Sequence, residues 1–294
     1  MAALTHEFTE TLSEPRDRVF RAFTDEAELT CWFAEHVEVE LQPGGEYRFW
    51  GKHTQGAPTR SQAGQKVVRV EPPKLLVFSW PLAGVDSEVS LEFVEEASAK
   101  DGPATVLKGR HHFAVAPDVP RPLDLVDDLW RMTLANLRAH LGGGDGISRA
   151  DFSDPITRIR QTILINAPRD KIFASLLDPA FLNAWLGAEA VVEPHVAGRY
   201  SYGWKYDVRG KQVEGGPTKI LELVEDTKLV TDWPNWRGDP DLPAQRVTWL
   251  LESVGEQTRV ILIHEPFERT ADVSDYPQGW AYFLAGLKSK TEAT

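Results

Sequence analysis

Residues 15–47 have the sequence PRDRVFRAFTDEAELTCWFAEHVEVELQPGGEY, and residues 168–200 repeat it as PRDKIFASLLDPAFLNAWLGAEAVVEPHVAGRY. Twelve of the 33 aligned positions are identical, with no gap between the two copies. The dipeptide Trp80-Pro81 returns as Trp233-Pro234 at the same offset of 153 residues. Such a long period with rigid spacing indicates two copies of one domain, not an array of short repeats.

The length and composition of the chain agree with two soluble domains. A chain of 294 residues has room for about two domains of ordinary size, each large enough to bury its own core. Its content of 42% hydrophobic and 26% charged residues is that of a globular protein. The net charge of -12 divides evenly between the halves and leaves no basic stripe, which argues against nucleic acid or a membrane as a partner.

Cysteine content and the N-terminal residues indicate the compartment. Cys31 is the only cysteine, so the chain forms no internal disulfide and suits the reducing cytosol. The first ten residues have neither the basic nor the apolar part of a signal peptide. Aliphatic runs such as residues 260–263 are far too short to span a bilayer. We therefore expect a cytoplasmic protein that is a monomer or a weak dimer.

A glycine-rich segment separates the two copies. Residues 142–146 read GGGDG, and serine, aspartate and proline residues follow up to position 155. A segment of this composition cannot bury enough apolar surface to order itself, so we expect a flexible linker. The sequence therefore predicts a first domain at 1–141, a linker at 142–154 and a second domain at 155–294.

Each copy shows the same order of predicted elements. One strand is followed by two short helices, about six strands and one long C-terminal helix. In the first copy this helix is predicted from about 121 to 141, where apolar residues recur on one face: Leu123, Val126, Trp130, Leu134, Leu137 and Leu141. The order is typical of an α+β fold in which a strongly curved antiparallel sheet wraps around the long helix.

Several of these positions together resemble a known family. The first copy contributes the helix opening at Pro15, the PGGEYRF motif at 43–49, the EPPKLLVFSW motif at 71–80, and Trp130. The second copy contributes Pro168, the GRY motif at 198–200, Trp233, and Gly279-Trp280. The resemblance is to the family named after an activator of a heat-shock-protein ATPase, in the START-like, helix-grip (SRPBCC) superfamily.

This resemblance implies a fold and a range of functions. The implied fold is two tandem helix-grip domains, each with a deep cavity between the curved sheet and the long C-terminal helix. Members include carriers of hydrophobic ligands, polyketide aromatase/cyclases, self-resistance proteins and chaperone activators. The second copy departs from the family pattern where Ala197-Gly198 replaces Gly44-Gly45 and where Glu225-Asp226 replaces Pro72-Pro73.

Aromatic residues are the main candidates for a ligand site. The chain has ten tryptophans, and several of them recur in both copies. Strand alternation would aim many aromatic side chains at the long helix. The predicted ligand-binding residues are Tyr47, Phe49, Trp80, His111, Trp130, Tyr200, Tyr202, Trp204, Trp233, His264 and Trp280. The alternative is that the same rings are plain core, because buried aromatic side chains dominate core energetics.

Two histidines are the best polar candidates. His111 and His264 lie six residues after Thr105 and Thr258, at the ends of equivalent predicted strands. An imidazole in an apolar cavity could orient a ligand or transfer a proton, which makes both histidines candidate catalytic residues. The alternative is a hydrogen-bonded structural histidine. The eight histidines show no His-x-x-x-His or His-Glu-x-x-His spacing, so we expect no metal site and no cofactor.

The sequence favours a non-catalytic function. We expect one or both cavities to bind a small apolar or aromatic molecule, because few polar residues are predicted inside. The first alternative is a polyketide-type aromatase/cyclase or dehydratase-like enzyme, which needs several convergent polar groups in the cavity. The second is a protein-interaction module that modulates a chaperone, which needs an exposed apolar patch.

Overall fold

The computed structural model divides the chain into two compact units. Residues 1–155 form the first unit and residues 156–294 form the second. The residues it describes are 2–96, 102–119, 121–144, 147–154, 157–186, 188–208, 210–234, 244–267 and 276–293. Each unit has its own cluster of buried hydrophobic side chains, so each unit has its own core.

The first unit follows the predicted order of elements. Its elements are β1 (Leu4–Leu12), α1 (Arg16–Thr24), α2 (Glu26–Trp32), β2 (His36–Val39), β3 (Tyr47–Trp50), β4 (Val67–Glu71), β5 (Leu75–Ser79), β6 (Ser87–Glu96), β7 (Ala104–Phe113) and α3 (Pro122–Leu141). Five strands form an antiparallel sheet in the order β1-β7-β6-β5-β4, and β2 pairs with β3 in a hairpin. Backbone hydrogen bonds between residues 44–47 and 65–67 join this hairpin to the start of β4.

The second unit repeats the plan. Its elements are β8 (Ile159–Ile165), α4 (Arg169–Leu177), α5 (Pro179–Leu186), β9 (Val191–Val192), β10 (Tyr200–Ser201), β11 (Trp204–Val208), β12 (Lys211–Gly215), β13 (Ile220–Val224), β14 (Lys228–Trp233), β15 (Gln245–Val254), β16 (Gln257–Glu265) and α6 (Tyr276–Glu292). Its five-stranded antiparallel sheet has the order β13-β14-β15-β16-β8, which matches the first sheet strand for strand. The predicted α+β fold, with two short helices and one long C-terminal helix in each copy, is confirmed.

One repeated glycine explains why both copies keep the same tight turn. A Cβ atom on Gly45 would lie 2.3 Å from the carbonyl oxygen of Glu40, and one on Gly198 would lie 2.3 Å from that of Glu193. No side chain fits so close to a backbone oxygen. Only glycine can therefore occupy this position of the turn, and both copies have glycine there.

The segment after α3 departs from the predicted flexible linker. Residues 147–154 belong to the first unit, and Ile147, Ala150 and Phe152 pack against its core. The backbone N–H of Phe152 also donates to the carbonyl oxygen of Lys52 at 2.7 Å. In this structure residues 147–154 are not a free tether, because apolar side chains among the polar ones pack against the core. The average composition of the segment is polar, and it does not reveal the contacts of single apolar residues.

Candidate functional site

Two tyrosines of the predicted site connect separate elements. The Tyr47 hydroxyl donates to the carbonyl oxygen of Phe23 in α1 at 2.6 Å, and the Tyr200 hydroxyl donates to that of Leu176 in α4 at 2.7 Å. Both side chains are buried, and burial raises the pKa of each hydroxyl above its ordinary value. Each hydroxyl is therefore neutral, and it donates its proton to a backbone carbonyl oxygen of the same unit.

The rings predicted to line the first cavity pack closely against one another. The ring centroids of Phe49 and Trp80 lie 5.0 Å apart and nearly perpendicular, and those of Trp80 and Trp130 lie 6.0 Å apart. Tyr47 adds an edge-to-face contact with Phe49 at 6.2 Å. Edge-to-face pairs of this kind stabilise a core beyond the burial of their surface. These rings are therefore core residues in the conformation described.

His111 is hydrogen-bonded through both ring nitrogens. The indole N–H of Trp130 donates to His111 Nδ1 at 3.1 Å, so Nδ1 carries no proton. The proton of the neutral ring is then on Nε2, which donates to Ser87 Oγ at 2.7 Å. Ser87 Oγ donates in turn to the carbonyl oxygen of Trp80. The imidazole also stacks on the Trp80 ring, with centroids 5.4 Å apart.

The second unit repeats this arrangement around His264. The indole N–H of Trp280 donates to His264 Nδ1 at 3.2 Å, and Nε2 donates to Gln245 Oε1 at 3.1 Å. Gln245 and Ser87 hold the same place in their sheets, two residues before the residue that pairs with the histidine. In both units, a buried Trp–His hydrogen bond fastens the C-terminal helix to the sheet.

Burial keeps both histidines neutral. Loss of hydration lowers the pKa of His111 from 6.5 to about 3, with a smaller contribution from the nearby His6. Desolvation likewise lowers the pKa of His264 to about 3. A neutral imidazole with both nitrogens engaged has no free position from which to move a proton. These contacts favour the structural interpretation of both histidines over the catalytic one.

A small cavity lies in the first unit beside this core. Its apolar wall consists of Trp32, Phe33, Phe49, Trp80, Leu129 and Met132, with Ala150 and Phe152 from the segment after α3. Its polar wall consists of His53, Thr54, Gln55, Thr133, Asn136, Ser148 and Arg149. The cavity volume of about 30 Å³ has room for about two water molecules, and it must widen before a larger molecule can enter.

Two polar side chains of the cavity wall have unused hydrogen-bonding capacity. Thr54 Oγ1 and Gln55 Oε1 are buried and have no hydrogen-bond partner among the described residues. The Thr54 residue as a whole is only 6% exposed. An unpaired buried polar atom costs about 1–3 kcal/mol, and such atoms are normally paired with protein, water or a ligand. The loop after β3 therefore presents polar atoms that a ligand could satisfy.

An aromatic side chain holds the equivalent helix position in the second unit. Alignment of Trp130 with Trp280 places Phe283 at the position that Thr133 holds on the long helix. The Phe283 ring stacks on Trp204, with centroids 5.3 Å apart and an angle of 23° between the rings. The same helix position thus carries a threonine that borders a cavity in the first unit and a stacked phenylalanine in the second.

The predicted residues of the second unit form one continuous aromatic cluster. Tyr202 contacts Trp204 at a centroid distance of 4.8 Å, and Trp233 contacts Trp280 at 5.2 Å. The Trp233 indole N–H donates to the Tyr276 hydroxyl at 3.2 Å. Like their counterparts in the first unit, these side chains pack against one another.

Comparison with known proteins identifies the family. A family profile described as "Activator of Hsp90 ATPase homolog 1-like protein" matches residues 13–142 and, a second time, residues 166–292. The chain belongs to this family. Its two matched segments lie one in each unit, so the protein is a tandem member of the Hsp90-ATPase-activator-like family. A search of curated protein sequences finds no match.

Three solved structures are similar to this family member over one or both units. CalU16 from Micromonospora echinospora is 27% identical and covers 48% of this chain and 78% of its own, with a TM-score of 0.38. The Aha1 dimer from Colwellia psychrerythraea, determined in solution, is 22% identical and covers 47% and 97%, with a TM-score of 0.37. DynU16, from the dynemicin biosynthetic locus, is 16% identical and covers 98% and 96%, with a TM-score of 0.38.

The described residues of this family member contain neither a membrane-spanning helix nor a cluster of metal-ligating side chains. No helix within the described ranges combines the length and the apolar character needed to cross a membrane. The same residues contain no group of three or more histidine, cysteine, aspartate or glutamate side chains that could hold a metal ion.

Few of the predicted ligand-binding residues lie at the cavity, and the residues of its polar wall were not predicted. Of the eleven predicted ligand-binding residues, Phe49 and Trp80 line the cavity. The missed residues come from the end of α2, from α3, from the loop after β3 and from the segment after α3. Two signals were available in the sequence: the polar run at 53–55 directly after an aromatic strand, and Phe152, a large aromatic residue in a polar segment.

Proposed function

We propose that the first domain binds a small aromatic or apolar molecule in the cavity bordered by α2, α3, the β2–β3 hairpin and the loop after β3. The observation that carries the proposal is a wall of aromatic rings beside buried polar atoms that have no hydrogen-bond partner among the described residues. Ligand sites commonly combine an apolar lining with a few polar groups that fix the orientation of the ligand. Met132 forms part of the wall, and its unbranched, flexible side chain can move to widen the cavity.

In this proposal the second domain binds no ligand. Phe283, at the helix position equivalent to Thr133, stacks on Trp204, and this stacking would be lost if a ligand bound between the two rings. One molecule of ligand per chain is therefore the expected stoichiometry.

Two other functions are compatible with the family. A polyketide-type cyclase or dehydratase-like activity needs groups that can move protons. His111 and His264 do not support it, because each is engaged at both nitrogens and has a lowered pKa. A role as a chaperone modulator is suggested by the family alone. Binding without chemistry fits the contacts of the core best.

Filling the cavity should abolish ligand binding. We expect the protein to bind the neutral probe N-phenyl-1-naphthylamine with micromolar affinity, about -8 kcal/mol. Thr133→Phe introduces the side chain that Phe283 has at the equivalent position of the second domain. The added ring should fill the cavity and eliminate this binding. Titration followed by probe emission measures the affinity. Thermal unfolding followed by circular dichroism checks the fold, because an added ring costs about 1–3 kcal/mol.

Leu123→Ala is the matched control for this titration. Leu123 lies on the same helix as Thr133, and its side chain is exposed, so its loss should leave probe affinity unchanged. Full probe binding by a folded Thr133→Phe protein would locate the site elsewhere and contradict the proposal.

A further inference from the structure

The segment that follows α3 lines one part of the cavity of the first domain. We call residues 147–154 the strap. Ser148, Arg149, Ala150 and Phe152 of the strap line the cavity together with residues of the helices, the β2–β3 hairpin and the loop after β3. A segment that connects two domains thus supplies about a quarter of the lining residues of one of them.

One end of the strap is attached to the loop after β3. The backbone N–H of Phe152 donates to the carbonyl oxygen of Lys52 at 2.7 Å. His53 Nδ1 donates to the carbonyl oxygen of Ala150 at 2.9 Å. The Phe152 side chain also packs against the core of the first domain. This end is therefore held by two backbone-directed hydrogen bonds and by apolar packing against the core.

The other end of the strap is attached to two helices. The backbone N–H of Ser148 donates to Asn136 Oδ1 on α3 at 2.9 Å. Arg149 Nη1 donates to the carbonyl oxygens of Thr30 at 2.7 Å and Ala34 at 3.0 Å, at the C-terminal end of α2. A cation is favourable at this end of a helix. The strap consequently bridges α2, α3 and the loop after β3, which all contribute to the cavity wall.

These attachments can open while the core of the domain stays intact. Residues 147–152 are only half-buried and lie outside every strand and helix of the first domain. Segments with few buried contacts open at a lower free energy than core strands and helices. Gly143 and Gly144, which precede the strap, have φ angles of +111° and +93° and carry no side chain that restricts rotation. The Trp130–His111 bond that fastens α3 does not involve the strap.

We infer that the strap is a wall of the ligand site and that it must detach to admit the ligand, an inference that rests on the proposed function. With the strap attached, the cavity of about 30 Å³ cannot hold an aromatic ring. Detachment removes Ala150 and Phe152 from the wall and exposes the space between Phe49 and α3. When the strap returns, Arg149 and Phe152 contact the bound molecule.

A thiol inside the cavity tests this inference without any ligand. In a Cys31→Ser background, Thr133→Cys places a single thiol on the cavity wall, in a side chain of similar size. The rate of its reaction with Ellman's reagent reports how often the cavity opens to solvent. We expect Phe152→Ala and Arg149→Ala each to raise this rate about tenfold or more, because each breaks a different attachment of the strap. Val115→Ala, which alters an exposed side chain outside the strap and the cavity, should leave the rate unchanged.

Unfolding in urea, measured on each variant, separates strap opening from loss of the fold. The inference is overturned if neither strap substitution changes the labelling rate, or if labelling in every variant proceeds only at the rate of global unfolding. Failure of the proposed function would show itself in the probe titration and not in the labelling rate. A protein that shows strap-dependent labelling but binds no probe would refute the proposed function, and with it the strap's role as a wall of a ligand site.

Discussion

Replacing Trp130 by alanine should lower the free energy of unfolding of the first domain by about 3–5 kcal/mol. The indole is 2% exposed, lies 6.0 Å from the Trp80 ring, and donates its N–H to His111 Nδ1. Its removal leaves a large void and a buried acceptor without a partner. Urea unfolding followed by far-ultraviolet circular dichroism measures the loss.

A second substitution divides this loss into its two causes. Trp130→Phe keeps most of the ring volume and loses only the N–H, so it should cost about 1–3 kcal/mol. Leu123→Ala changes an exposed side chain of the same helix and should cost less than about 1 kcal/mol. A loss below about 1 kcal/mol for Trp130→Ala would mean that the ring does not fasten α3 to the sheet.

Lowering the pH from 6.5 to 5.0 should destabilise each domain by about 2 kcal/mol through its buried histidine. In the folded state, burial lowers the pKa of His111 and of His264 to about 3, from an ordinary value of 6.5. Between these values the unfolded chain takes up a proton that the folded chain cannot. The stabilisation is therefore complete above pH 6.5, falls as the pH drops, and stops falling near pH 3.

Neutral replacements should remove this pH dependence one domain at a time. His111→Gln should flatten the profile of the first domain, and His264→Gln that of the second, in urea titrations at pH 6.5, 5.8 and 5.0. His195→Gln, at an exposed position, is the control that should change neither profile. An unchanged slope in His111→Gln would show that His111 becomes protonated within the folded protein.

The tandem fold was predictable because the residues repeated in both copies are ones for which the backbone geometry allows few substitutes. Gly45 and Gly198 recur because a side chain there would collide with a carbonyl oxygen. Tyr47 and Tyr200 recur because each hydroxyl bonds to the helix 24 residues earlier. Constraints of this kind are local or keep a fixed spacing, so they are visible in a single sequence.

The partners of the two histidines could not be predicted in the same way. Strand alternation placed His111 inside, and it is buried. Its acceptor, Ser87, comes from the neighbouring strand through the pairing of Val89 with His111. Which residues face each other across two strands depends on their register, and the sequence does not state the register.

The extent of the cavity was equally hidden. Alternation reports the side of a sheet on which a residue lies, not whether the space beyond is already filled. Thr133 and Phe283 hold equivalent helix positions, yet one borders a cavity and the other stacks on Trp204. The strap was missed because composition describes a segment as a whole, whereas its order comes from particular contacts such as that of Phe152 with Lys52.

The most direct measurement of the central claim is the position of a bound ligand among the ten tryptophans. Indole N–H signals in a ¹⁵N–¹H spectrum, assigned by single Trp→Phe substitutions, can be followed as N-phenyl-1-naphthylamine is added. Binding in the first domain predicts that the signals of Trp32 and Trp80, which line the cavity, shift with the probe. The signals of Trp249 and Trp280 in the second domain should stay in place. Shifts confined to the second domain, with Trp32 and Trp80 unchanged, would contradict the account.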